Sequence, residues 1–155
     1  MIMNLKEISE LICELDWNNP LEVQENAVKI LSDRNDYPIH LLLQPSDKKY
    51  WENSAKVLYH KGYEEVKSIT IELFYWLQDM NWPGSVIIRD LLWSYPSQIL
   101  ADYLEQILLN AVASNDEEWI YNLCYFIDNK VGIKDFTNKS IYKIYHMYKS
   151  EYENL

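Results

Sequence analysis

Apolar residues return every three or four positions along nearly the whole of this 155-residue chain, and no stretch alternates apolar with polar as a half-buried strand must. That periodicity restricts the chain to helices packed on helices. Leu5, Ile8, Leu11, Ile12 and Leu15 form one helical stripe. Val23, Ala27, Ile30 and Leu31 form a second after Pro20, which a first helical turn tolerates because the missing N–H would find no partner there. Residues 32–47 hold two prolines and many turn formers and are expected to be the longest irregular segment, with "IHLLL" either extended or a short helix. Trp51, Ala55 and Leu58 share a face on a helix that Gly62 can end.

Residues 64–78 are apolar on more than one face, so a single central helix is expected there. Pro83 and Pro96 are placed to open two more helices, the second running through Ala113. Ser114 with Glu117 matches a capping box for a helix that carries Ile120, Leu123, Cys124 and Ile127 and ends near Gly132. A last helix starts near Asn138, with Ile141, Tyr145, Tyr148 and Tyr152 aligned. The total is seven or eight helices on short turns, an all-α stack of helical hairpins forming one domain. "DWNNP" at 16–20 and "DMNWP" at 79–83 repeat Asp-x-Asn-x-Pro at an offset of 63, and Ile8, Leu11, Ile12 and Val23 align with Ile71, Phe74, Tyr75 and Val86. An offset of that size suggests a short α-solenoid with two equivalent corners.

Charge narrows function. Fourteen Lys and Arg against 24 Asp and Glu leave −10, which disfavours a nucleic-acid track, since phosphate binding needs a basic surface. Between Pro83 and Asp128 the sole cation, Arg89, faces seven acids: Asp90, Asp102, Glu105, Asp116, Glu117, Glu118 and Asp128. Such a stretch can steer a basic partner or simply be a solvated face. Cys13 and Cys124 are far apart and match neither a metal motif nor a disulfide framework, and His40, His60 and His146 lack ligand spacing, so no metal or cofactor is expected. Charges interrupt the N-terminal apolar pattern and no apolar run reaches membrane-spanning length, so a soluble cytoplasmic protein is expected.

Two groups of residues are candidates for a partner-binding site. Asp79, Asn81 and Trp82 stand at a helix junction, where Asp and Asn can satisfy the exposed N–H groups of the following helix and Trp82 can fold over the hairpin or anchor a partner. Asp102 and Glu105, with Asp116, Glu117 and Trp119, belong to the acidic stretch, although acids in a first helical turn also complement the helix dipole. Tyr142, Tyr145, Tyr148 and Tyr152 are expected to seal the end of the stack.

"WLQDMNWPG" and "SNDEEWIYNLCYFI", preceded by "HLLLQPSDKKYWENSAKVL", resemble a bacterial family known as domain of unknown function 5071 over roughly residues 37–128. The resemblance implies a HEAT-like fold, a short right-handed α-α superhelix, and no assigned activity or catalytic residues. Residues 1–31 then form an added N-terminal hairpin and 138–152 a capping helix. The function expected is a non-enzymatic protein-interaction module, immunity-like by analogy, that offers an acidic face to a basic protein partner. An enzyme on the same scaffold, such as a DNA glycosylase using Asp79 with Trp76 or Trp82, is the alternative that the charge disfavours; an oligomeric structural protein is a third.

Overall fold

Asn4 and Glu7 start the first helix by exchanging side-chain and backbone hydrogen bonds, Glu7 N–H to Asn4 Oδ1 at 2.9 Å and Asn4 N–H to Glu7 Oε2 at 3.1 Å. This capping box opens α1 (Leu5–Glu14). Pro20 precedes α2 (Leu21–Asp33). The computed structural model describes residues 2–43 and 47–153, the side chains of Tyr152 and Glu153 excepted. Within the irregular segment "IHLLL" resolves into a short 3-10 helix, Ile39–Leu42, while Pro45 lies outside the described residues.

The chain continues as α3 (Trp51–Val66), α4 (Thr70–Tyr75), α5 (Ser85–Trp93), α6 (Ser97–Ala113), α7 (Glu117–Asn129) and α8 (Ser140–Glu153). The fold is all-α: among the described residues there are eight α-helices, with 3-10 turns between α2 and α3, α3 and α4, α4 and α5, and α7 and α8, and no strand. Helices pack mainly on near neighbours in the chain, α1 on α2, α2 on α3, α3 on α5, α6 on α7 and α7 on α8. All eight helices feed one core, with Leu58, Leu73, Phe74, Trp76, Ile88, Leu104, Trp119, Ile120 and Phe126 sealed from solvent.

Three expectations need correction, each for a local reason. Residues 64–78 do not form one helix. Gly62 leaves helical geometry at φ 74°, ψ 176°, and the chain then passes through the tail of α3, a 3-10 turn at Lys67–Ile69, α4 and a second 3-10 turn at Trp76–Gln78. Thr70 marks the break. Its buried hydroxyl sits 2.9 Å from the Lys67 carbonyl and 2.7 Å from the Tyr95 hydroxyl, a side-chain solution that competes with a regular helix.

α5 begins at Ser85 rather than Pro83, because Gly84 intervenes with φ 83°. The capping box of Ser114 and Glu117 does not form either. Ser114 Oγ instead donates back to the carbonyls of Asn110 and Ala111 at 3.0 and 3.1 Å. Asn115 takes the left-handed conformation (φ 53°), and its N–H and that of Asp116 reach the carbonyls of Val112 and Ala111, so "SND" is a Schellman closure of α6. Asp116 then caps α7 by accepting from Trp119 N–H at 3.0 Å.

On α8 the core face is Ile141 and Ile144. Tyr142, Tyr145 and Tyr148 flank it half-buried, and the Tyr152 side chain lies outside the described residues.

Candidate functional site

The two Asp-x-Asn-x-Pro corners are the same turn. In the first, Asp16 Oδ1 accepts from Asn18 N–H at 2.8 Å and Asp16 O from Asn19 N–H at 3.0 Å. In the second, Asp79 Oδ1 accepts from Asn81 N–H at 2.7 Å and Asp79 O from Trp82 N–H at 3.1 Å. Each aspartate thus closes its own turn as an Asx turn and does not cap the following helix, where neither Pro20 nor Gly84 offers a side-chain acceptor. The likeness stops at the corner. Ile8 is buried where Ile71 is half-buried, and Leu11 is half-buried where Phe74 is sealed in the core.

Around the second corner the chain is sealed by aromatic rings. Trp76 donates its indole N–H to Pro83 O at 2.8 Å, and Trp51 meets Trp76 and Trp82 edge to face at centroid distances of 6.0 and 5.5 Å. Lys48 Nζ lies over the rings of Trp51 and Trp82. Ser85 Oγ donates to the carbonyls of Trp76 and Asp79, both at 2.9 Å, and Gly84 N–H donates to Glu52 Oε2 at 2.6 Å. So Asp79 and Trp82 are half-buried parts of this seal, and Asn81 stands exposed at its tip.

The acidic candidates are spread along α6 and the start of α7 and do not meet at one point. Asp102 is exposed on α6, while Glu105, one turn on, accepts from Thr137 N–H and Oγ1 at 3.2 Å and ties the segment before α8 to α6. Asp116 is the cap of α7, beyond the end of α6, whose last residue Ala113 lies about 12 Å along the axis from Glu105. Glu117 and Glu118 stand exposed in the first turn of α7. Trp119 is corrected to a core residue: it is 1% exposed, and its indole N–H donates to Phe74 O at 3.0 Å.

A groove of about 440 Å³ opens where the second corner meets α5, α7 and α8. Met80 borders it from the corner, Arg89 from α5, and Tyr148 and Lys149 from α8; α7 supplies Tyr121, Asn122, Cys124, Tyr125 and Asp128. Their spacing on α7 follows from its period, since 121, 124, 125 and 128 share one helical face. Asn122 has a structural duty as well, its amide donating to Leu77 O at 2.9 Å.

Two cations reach the groove, and they are held differently. Lys149 Nζ donates to Asp128 Oδ1 at 2.7 Å and to the Tyr145 hydroxyl at 2.8 Å, and Tyr145 in turn bonds Asp128. The Asp128 hydrogen bond, then that of Tyr145, holds the Lys149 ammonium above its ordinary range. The phenol of Tyr145 is raised too, first by burial and then by Asp128. Arg89 is instead laid over the Tyr125 ring at 4.7 Å, with its Nη2 3.7 Å from Asp90 Oδ1 and its Nε buried without a hydrogen-bond partner.

The Cys124 thiol is pushed up to about 12, by burial first and Asp128 second, so at neutral pH it is a packing group and not a nucleophile. The groove offers tyrosine walls and one guanidinium lying over the Tyr125 ring. Sequence reasoning did not assemble this groove. Its one sequence signal is Arg89, the lone cation between Pro83 and Asp128.

Among the described residues no group of three His, Cys, Asp or Glu is placed to hold a metal ion. None of the described helices is long and apolar enough to cross a membrane. The family model described as Domain of unknown function (DUF5071) matches residues 43–153, which takes in α3 through α8 and runs past the 37–128 segment that carries the sequence resemblance. No curated protein and no solved structure matches the chain.

Proposed function

The chain belongs to the DUF5071 family, and we propose that it works as a non-enzymatic protein-interaction module whose acidic strip along α6 and the start of α7 receives a basic partner. One observation carries this reading. The ion pairs among the described residues engage Glu10, Asp16, Asp36, Asp47, Glu64, Asp90 and Asp128, whereas Asp102, Glu117 and Glu118, like Glu22 and Glu25 on α2, are exposed with no ion pair among the described residues. Unneutralised carboxylates spread along α6 and the start of α7, on a chain of net charge −10, set up a negative field that speeds encounter with a basic surface and weakens with salt. Glu105 and Asp116 add charge to the same strip while serving the fold through Thr137 and Trp119.

The test is capture from lysate of the parent cells by the wild-type chain and by the variant Asp102→Asn, Glu117→Gln, Glu118→Gln. These exposed substitutions are expected to change stability by less than about 0.5 kcal/mol. Basic proteins held by the wild type at low salt and released at high salt should be lost from the variant. An unchanged set of captured proteins would remove the acidic strip from the account.

A further inference from the structure

We propose that the groove between the second corner, α5, α7 and α8 is a binding site for a small organic monocarboxylate with a flat, aromatic body. Volume, charge and wall chemistry point to it, independently of the acidic strip. A space of about 440 Å³ falls within the range of roughly 300–1,000 Å³ usual for small-molecule sites. Tyr121, Tyr125, Tyr148 and Met80 line it, so its walls suit a planar apolar group.

Charge selects the anionic group. Lys149 is matched by Asp128 at 2.7 Å, so this pair adds little net field. Arg89 is the cation whose charge is not closely matched. Its contact with Asp90 is 3.7 Å, beyond hydrogen-bond reach, and the Asp90 side chain is mostly in solvent. The Arg89 Cζ lies over the Tyr125 ring, 4.7 Å from its centroid, a contact that restrains the side chain and lowers the cost of ordering it when a ligand arrives. With Nε enclosed, the terminal nitrogens form the edge left for a ligand, and such an edge pairs with the two oxygens of a carboxylate. A dianion is a poorer match, because Asp128 and Asp90 stand close by and one guanidinium does not offset two charges.

The experiment is a two-dimensional NMR titration of the full chain with 3-phenylpropanoate, its uncharged amide 3-phenylpropanamide, and the dianion phenyl phosphate. The carboxylate should bind saturably in the millimolar range, shifting amides of α5, α7 and the second corner, with the amide and the phosphate each at least tenfold weaker. Arg89→Gln should weaken the carboxylate at least tenfold and leave the amide unchanged, while Tyr148→Ala should weaken both alike. Equal binding of acid and amide, tighter binding of the phosphate, or no saturable shift up to tens of millimolar would overturn the assignment. The comparison of acid with amide uses the wild-type chain alone, so the outcome does not depend on the variants folding.

Discussion

The first and second corners share a turn down to individual hydrogen bonds, yet they are sealed by opposite chemistries. At the first, polar side chains close the gaps: Asn19 Nδ2 donates to the carbonyls of Cys13 and Glu14, Gln24 Nε2 to those of Trp17 and Asn19, and Lys49 pairs with Asp16 at 3.0 Å. At the second, Trp82 stands where the first has Asn19, and Trp51, Trp76 and Gly84 fill the space. Even so, one carbonyl is satisfied in both places, since Cys13 and Trp76 are equivalent at the offset of 63 and each receives a side-chain donor, from Asn19 or from Ser85. The turn is set by Asp and Asn whatever surrounds it. What surrounds it decides whether the corner is a wet surface or part of the core.

Gly84 should separate the two corners most. A Cβ there would lie 2.7 Å from Ala55 Cβ and 3.0 Å from Trp51 O, on a backbone already at φ 83°. Gly84→Ala is expected to cost about 3 kcal/mol and lower Tm by roughly 10 °C. Leu21, its equivalent at the first corner, is 66% exposed, and Leu21→Ala should stay within about 0.5 kcal/mol. Thermal unfolding checks both, and equal losses would break the contrast.

A smaller gap is expected between two asparagines that close helix ends from a neighbouring helix. Asn53, buried on α3, donates to Leu15 O and to Gln24 Oε1, both at 2.8 Å; Asn122, half-buried on α7, donates to Leu77 O at 2.9 Å. Denaturant unfolding should give about 2 kcal/mol lost for Asn53→Ala and about 1 kcal/mol for Asn122→Ala.

Acidification should act on the first corner with the smallest effect. Asp16 is held below its ordinary 3.8, by the Asn18 N–H foremost and also by Lys49. A depressed carboxyl stabilises the fold above its unfolded value, and that contribution is lost as pH falls through the folded value. Asp36 follows the same sign, lowered to about 2 chiefly by Arg34, and it also holds Met3 N–H at 2.9 Å. Hydrogen exchange should therefore show α1 and α2 loosening between about pH 4 and pH 2 before α3 and α5 do.

The all-α fold was legible because the helical stripes are strong, and the corners were legible because Asx turns depend on local residue types. Other features depend on distant partners. Nothing near Thr70 announces that Tyr95, twenty-five residues on, will bond its hydroxyl and help break the helix there. Asn115 did carry a local sign, being a residue that tolerates the left-handed conformation, and it outweighed the capping-box pattern of Ser114 and Glu117. Trp119 resembled an exposed anchor only because its acidic neighbours are exposed, whereas its own position falls on the buried face of α7 with Leu123 and Phe126. The groove needed α5, α7 and α8 together, and in the sequence only the isolation of Arg89 hinted at it.

The most direct measurement of whether the second corner is architecture is to compare Asp79→Ala with the wild type in thermal unfolding and, in parallel, in the capture experiment. Loss of the hydrogen bond from Asn81 N–H should cost about 1 kcal/mol and lower Tm by a few degrees, with the captured proteins unchanged. An unchanged Tm together with loss of the captured proteins would contradict the account and make Asp79 a binding residue.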